Sequence, residues 1–407
     1  MKFFRTWTMA FIGSVAVVAL FNAVTDPYLL LDMPRFQGFN ARKPAADTKQ
    51  RLMKVYDVFR TRPKTLILGS SRAALGMDAR STAWAEQNRP VYNLAFGEGS
   101  PYMAYRYLQH VLSRQGVSTV VLGLEFEYFL RNFHIQDHEF ESHLLVAPDG
   151  SPRESAWGQL RDVSHGLTGL NSLSDSIDTM TQNWLRDSSD MRSGNWYWSA
   201  MSGTQSAWGA RAQFTVSDIL VAPLYGGYQL DASAFDAVDA FLDLCESHHI
   251  RVIIFISPSH ADQLEIINLA GEWPVFEQWM RNLTALVSRH AHVENHEDWA
   301  VLWDFTGYYS YTDETLLGHQ WKLKWFVDPD HYSKELGDLI IRRLLHADES
   351  QFGEVLTSKN IESHVRTLGR QRQLYLQEQP ADALRIRELY ELATVGNFRP
   401  VHDIADR

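Results

Sequence analysis

The stretch Thr65-Leu66-Ile67-Leu68-Gly69-Ser70-Ser71-Arg72 decides the fold. It is a short apolar run that stops abruptly at a glycine and two hydroxyl residues. A buried strand ending this way delivers its last side chains to the carboxyl edge of a sheet, where open α/β folds place their sites. The following Ala73-Ala74-Leu75-Gly76-Met77-Asp78 can turn into a helix or loop whose free N–H groups face a developing anion. Ser71 is therefore a candidate nucleophile, and the rest of the chain must supply its base.

Upstream, Leu52, Val55, Tyr56 and Phe59 fall at i, i+3, i+4 and i+7 and predict a helix over 49–60, ended by Pro63. Downstream, Val91 to Ala95 reads as a second strand closing on Gly97-Glu98-Gly99. Tyr105, Leu108, Val111 and Leu112 then line one face of a helix over 102–114. Ser118 to Leu124 is a third strand, uncharged and hence central, ending at Glu125-Phe126-Glu127. The rhythm returns with a helix over 233–249 and a fourth strand, Ile250 to Ile256, ending in Ser257-Pro258-Ser259-His260. A helix near 273–290, a strand around Val301-Leu302-Trp303 ending in Asp304, and a helix over 334–345 complete it. Strand and helix alternating at this pace predict right-handed βαβ units, an α/β class and a mainly parallel sheet.

Between 131 and 230 the pattern fails, with one convincing helix at 172–184 and an aromatic cluster, Trp196-Tyr197-Trp198, that is packing or a sugar platform. This stretch reads as an insertion covering the sheet edge. Beyond 348 the chain is polar and helical, at 361–376 and 381–393, and reads as a surface appendage. The expected organisation is a membrane anchor at 1–25, a Pro-, Gly- and aromatic-rich tether at 26–48, the α/β domain at 49–346 and a helical tail at 347–407.

A composition of 45% hydrophobic and 21% charged residues is globular, and a formal charge of -11 argues against a general nucleic-acid binder. The single Cys245 excludes an internal disulfide and a cysteine-based zinc cage; it sits in an apolar helical pattern, as a buried inert thiol would. At the N-terminus, Lys2 and Arg5 precede an uncharged, mainly apolar run from Trp7 to Val24, just long enough to cross a bilayer. The positive flank should stay cytoplasmic and send the remaining chain outward. A cleaved signal peptide is the competing reading, but Leu20-Phe21-Asn22-Ala23 puts a bulky residue where cleavage wants a small one. The expectation is a single-pass anchor in the inner (cytoplasmic) membrane, with the main domain in the periplasm or outside the cell.

Asp328-Pro329-Asp330-His331, directly ahead of a helix, is the second signal. A serine nucleophile needs an imidazole within hydrogen-bond reach and a carboxylate to hold its tautomer, and an Asp three residues before a His on a turn can do this. His260 and Asp304 also lie at carboxyl strand ends and join the candidates for lining the site. A zinc or manganese reading of His260, Asp304, Asp328 and His331 lacks any supporting local spacing, so no metal and no cofactor is expected.

Together, Gly69-Ser70-Ser71, the glycine after the second strand and Asp328-x-x-His331 resemble the SGNH (GDSL-like) hydrolase superfamily, over roughly 64–129 and 233–346. The Gly-Ser-Ser variant with an N-terminal anchor is most similar to its envelope branch, that of the teichoic acid D-alanyl transfer protein and the alginate O-acetylation proteins. The resemblance implies a three-layer α/β/α fold and acyl-ester chemistry on an envelope glycan or exopolysaccharide, with a membrane acyl-donor protein as a possible partner. It assigns Ser71 as nucleophile, His331 and Asp328 as its relay, and the N–H groups of Ser71 and Gly97 as oxyanion donors. One departure stands out. The superfamily's third block supplies an Asn to the oxyanion, whereas this chain reads Gly123-Leu124-Glu125-Phe126-Glu127. An ionised carboxylate cannot donate, so either two amides suffice, or Asn93 or Arg72 substitutes, or the chain is a catalytically inactive scaffold or glycan-binding subunit of an envelope assembly machine. Arg72 can alternatively hold an anionic substrate group, or pair with Glu125 or Glu127.

Overall fold

A computed structural model of the chain describes residues 1–131, 139–153, 156–185, 227, 229–291, 299–315, 323–346 and 350–395. The aromatic cluster at 196–198 lies outside them. The chain forms two compact units, one of residues 1–63, 106–116 and 136–198, the other of 64–105, 117–135 and 199–407. In chain order, helices α1 (Lys2–Thr25), α2 (Pro44–Thr48) and α3 (Gln50–Thr61) precede β1 (Thr65–Leu68), α4 (Ser71–Gly76), β2 (Val91–Asn93), α5 (Pro101–Leu112) and β3 (Thr119–Leu124). Next come α6 (Ala156–Thr168), α7 (Leu170–Leu185), α8 (Ala232–Ser247), β4 (Arg251–Ile256), α9 (Ala261–Leu269) and α10 (Trp273–Ala291). The chain closes with β5 (Ala300–Asp304), α11 (Lys334–Leu344), β6 (Glu354–Leu356), α12 (Ile361–Glu378) and α13 (Pro380–Val395).

The second unit is α/β. Its six strands run in the order β2-β1-β3-β4-β5-β6; β1 to β5 are parallel and β6 is antiparallel to β5. Every residue of β1 and β3 is buried, as is β4 apart from Arg251. The uncharged sequences of β1, β3 and β4 after Arg251 are those of strands covered on both faces. From β1 the chain steps one way to β2, then crosses to β3 on the other side. The carboxyl ends of β1 and β3 therefore flank the point where successive connections diverge, the usual position of a site in such sheets. The segment between β3 and α8 leaves and returns at one place: Leu130 and Leu230 form an antiparallel bridge, and the Asp231 amide donates to the Phe129 carbonyl at 2.7 Å.

The tail is built into this unit instead of hanging from it. β6 extends the sheet, Arg372 makes two 2.8 Å bonds to Glu265 of α9, and Arg385 pairs with Asp262 of the same helix. His364 of α12 is clamped between two carboxylates, with Nε2 2.6 Å from Asp304 and Nδ1 2.8 Å from Glu354.

In the first unit, α1 spans 24 residues, about 36 Å at 1.5 Å per residue, and is long and apolar enough to cross a membrane. Residues 26–43 fold back on its end: Asn40 Nδ2 donates to the Val24 carbonyl at 3.0 Å, and the buried Lys43 ammonium donates to that of Thr25. A cation at the carbonyl end of a helix also complements its dipole.

The His364 clamp carries a pH signature. Burial opposes the imidazolium, but the bonds and charges of Asp304 and Glu354 outweigh it and lift the ring to about 9. Both ring nitrogens must then be protonated and donating. A group held above its unfolded value near 6.5 contributes stability that is complete below that pH and disappears as pH rises through 9. His364→Asn is expected to lower stability by roughly 2–4 kcal/mol at pH 6, with the difference from wild type shrinking between pH 6.5 and 9 in urea titrations.

Candidate active site

Ser71 opens α4. Ser70 precedes it as the N-cap, its hydroxyl accepting the Arg72 amide at 3.1 Å. Gly69, between strand and helix, has φ +138°, and a Cβ there would lie 2.8 Å from the Gly123 carbonyl oxygen on β3. Only glycine allows so sharp a strand-to-helix turn beside another strand. Ser71 is partly exposed.

The base arrives from the other end of the unit. His331 Nε2 lies 2.8 Å from Ser71 Oγ, and its Nδ1 lies 2.8 and 2.9 Å from the two carboxylate oxygens of Asp328. Asp328 is held in turn, its Oδ1 accepting the amides of Asp330 at 2.9 Å and His331 at 2.8 Å. Ser71, His331 and Asp328 thus form one continuous hydrogen-bonded relay. Burial works against both charges of the pair. The mutual attraction and these hydrogen bonds prevail, holding Asp328 below and His331 above their ordinary values.

The two segments meet because their helices touch at the backbone. A Cβ on Gly337 of α11 would lie 1.9 Å from the Gly76 carbonyl oxygen of α4, and one on Gly76 would penetrate the Tyr332 ring. Arg72 adds the polar tie. Its guanidinium bonds Ser259 at 3.1 Å, Glu127 at 2.5 Å, Gln263 at 3.2 Å and Asp330 at 3.2 Å. The residue after the nucleophile is thereby fixed to the residue before the base. The pairing of Arg72 with Glu127 expected from sequence is present. Asp330, Ser259 and Gln263 were not anticipated, because they come from loops and from α9, a helix whose N-cap is the uncommon residue His260.

The other candidates are engaged elsewhere. Asn93 is fully buried; its amide donates to the carbonyls of Ala73, Ala74 and Met77, and its oxygen accepts the Ala95 amide. It caps the carbonyl end of α4 and offers nothing to a substrate. His260 accepts the Asp262 amide on Nδ1 and bonds the Glu314 carbonyl through Nε2, and Asp304 holds His364 and Thr306. Neither joins the relay, and among the described residues these four His and Asp side chains do not converge as a metal set. Gly97 lies in the turn after β2, where the Phe96 amide bonds the Gly69 carbonyl at 3.1 Å and keeps this turn beside the nucleophile's. The Ser71 amide is among the first-turn N–H groups of α4, which have no acceptor within a helix.

Glu125 occupies the position where the resemblance calls for an Asn. It is 2% exposed and accepts hydrogen bonds from Ser257 Oγ at 2.8 Å and from the Ser70 hydroxyl. Burial raises its carboxyl to about 7; Arg72 pulls it down, but that guanidinium is already shared between Glu127 and Asp330. As pH falls below about 7, Glu125 becomes a neutral acid with one O–H to donate, next to the turn that carries Ser71. No family model and no curated protein matches this chain.

Two measurements probe this construction. Gly337→Ala is expected to force α4 and α11 apart, costing about 1–3 kcal/mol in chemical denaturation and separating Ser71 from His331. For Glu125, the folded protein binds the proton more tightly than the unfolded chain, so its contribution to stability falls as pH rises from 4.5 through about 7. Glu125→Gln should match wild type near pH 4.5 and exceed it above pH 7, by roughly 2–4 kcal/mol in the same titrations.

Proposed function

We propose that this chain is a membrane-anchored, extracytoplasmic SGNH-like enzyme that removes or transfers an acyl group on an envelope glycan or exopolysaccharide. The observation that carries the reading is the relay, Ser71 Oγ to His331 Nε2 at 2.8 Å with Asp328 on the far ring nitrogen. The sharp turn at Gly69 and the site's place between the diverging β1 and β3 connections support it, as does a helix long enough to anchor the chain.

In this reading Ser71 Oγ attacks the acyl carbonyl carbon while its proton passes to His331 Nε2. Asp328 holds the Nδ1–H tautomer and stabilises the imidazolium. The carbonyl oxygen becomes an oxyanion facing the amides of Ser71 and Gly97. Collapse of the tetrahedral intermediate breaks the bond to the leaving alcohol, which takes the proton from His331, and leaves an ester on Ser71. Water then completes hydrolysis, or a second sugar hydroxyl completes transfer, through the same acyl-enzyme. The alternative is an inactive scaffold or glycan-binding subunit, favoured by the carboxyl of Glu125 where an amide donor is called for.

A fluorophosphonate probe separates the two. The enzyme is expected to be labelled and Ser71→Ala not; absence of label on wild type would leave the scaffold. Only neutral His331 can act as base, and it is held above 6.5. The labelling rate should therefore rise along a limb lying above that pH. Asp328→Asn should shift the limb down and slow labelling by roughly 10³- to 10⁴-fold.

A further inference from the structure

Helix α7 is amphipathic the wrong way round for a water-soluble unit. Ser172, Ser176, Thr179 and Asn183, spaced at i, i+4, i+7 and i+11, are buried, whereas Leu170, Ile177, Met180 and Trp184 are exposed, at 81%, 45%, 37% and 83%. A surface helix normally turns its apolar stripe to the core. Here the inward contacts are polar. Ser176 donates to Asn22 Oδ1 at 2.8 Å and accepts from Thr25 Oγ1 at 2.7 Å, and Asn183 exchanges two bonds with the backbone of Arg42. Asn22 and Thr25 belong to the last two turns of α1, whose earlier apolar side chains are bare. The loop that folds back over the end of α1 exposes Leu31 and Phe36 as well.

We infer that the outward stripe of α7, with Leu31 and Phe36, is a lipid-binding face that seats this unit in the outer leaflet's interfacial zone. The inference rests on α1 spanning the bilayer, as proposed above. A hydrocarbon core of about 30 Å takes up about 20 helical residues. With Lys2 and Arg5 at the inner surface, the opposite boundary falls near Asn22 and Thr25, where α7 is bonded on. A bilayer surrounding α1 therefore meets the outward side of α7 at the same depth. Trp184 at the helix end suits that level, where amphipathic rings concentrate. Asp178, exposed one step round the helix from Ile177, keeps α7 among the headgroups and out of the hydrocarbon.

The full-length protein offers a clean test, because its native Cys245 is fully buried with its thiol held protonated by desolvation. Ile177→Cys, Met180→Cys, Val17→Cys in α1 and Asp149→Cys in an exposed turn would each be labelled with an environment-sensitive fluorophore. The proteins would then be reconstituted in phosphatidylethanolamine–phosphatidylglycerol vesicles. Nitroxide-bearing lipids are expected to quench the labels at 177 and 180 about twofold or more, like that at 17, while iodide quenches only the label at 149. The replaced α7 side chains point outward, so neither label disturbs packing. Quenching at 17 with iodide access at 177 and 180 would overturn the lipid face and leave the anchor standing. Shielding of 177 and 180 from iodide without nitroxide quenching would assign the face to another protein copy and also overturn it. Loss of lipid quenching at 17 would remove the anchor itself.

Discussion

The ion pair between Arg72 and Asp330 is what the rest of the site depends on. One partner directly follows Ser71 and the other directly precedes His331, so this 3.2 Å contact adds a charged tie, next to the relay itself, to the backbone contact of α4 with α11. A guanidinium 5% exposed at its side chain has lost most of its hydration, and such a group is retained only when its donors are filled. Glu127, Ser259 and Gln263 fill them, drawing the ends of β3 and β4 and the start of α9 into the same structure. Buried polar networks of this kind favour one arrangement over near alternatives, because any other leaves a charge unpaired. For a relay that works only at hydrogen-bond distance, that selectivity matters more than net stabilisation.

Support for this network comes from far along the chain. α9 carries Gln263 toward Arg72, and on its other flanks Asp262 and Glu265 receive Arg385 and Arg372 from the two terminal helices. The charges on α9 are therefore spoken for from both sides. The buried Tyr308 hydroxyl donates to Glu265 at 2.5 Å and completes the attachment. A segment that looks polar and peripheral in sequence thus buttresses the wall behind the nucleophile's neighbour.

Much of this was legible because burial on two faces leaves a plain mark: β1, β3 and the interior of β4 carry no charge, and β1 and β4 stop at glycine or hydroxyl residues. Ser71 and the Asp328–His331 pair were visible because each sits at a boundary between an apolar run or turn and a helix. Asn93 was misjudged for a physical reason. A polar residue at a strand end shows that hydrogen bonds are needed there, but not whether the partner is a substrate or three helix carbonyls. His260 and Asp304 fall under the same ambiguity, resolved by a cap and an ion pair. β6 escaped notice because three residues cannot display a periodicity; it pairs with β5 beside the Asp304–His364–Glu354 clamp. Glu125 read as an obstacle when taken as ionised; burial lifts its carboxyl to about 7, against the pull of the Ser257 and Ser70 hydroxyls and of Arg72.

The relay joins residues 260 positions apart, and that separation has a temporal side. A ribosome adding about 5–20 residues per second releases Ser71 some 13 to 50 s before the imidazole that hydrogen-bonds it. Throughout that interval the serine hydroxyl lacks its imidazole partner. Any fragment ending between Ser71 and His331 keeps the hydroxyl and lacks the imidazole. The relay therefore exists only in copies of the chain that extend past His331.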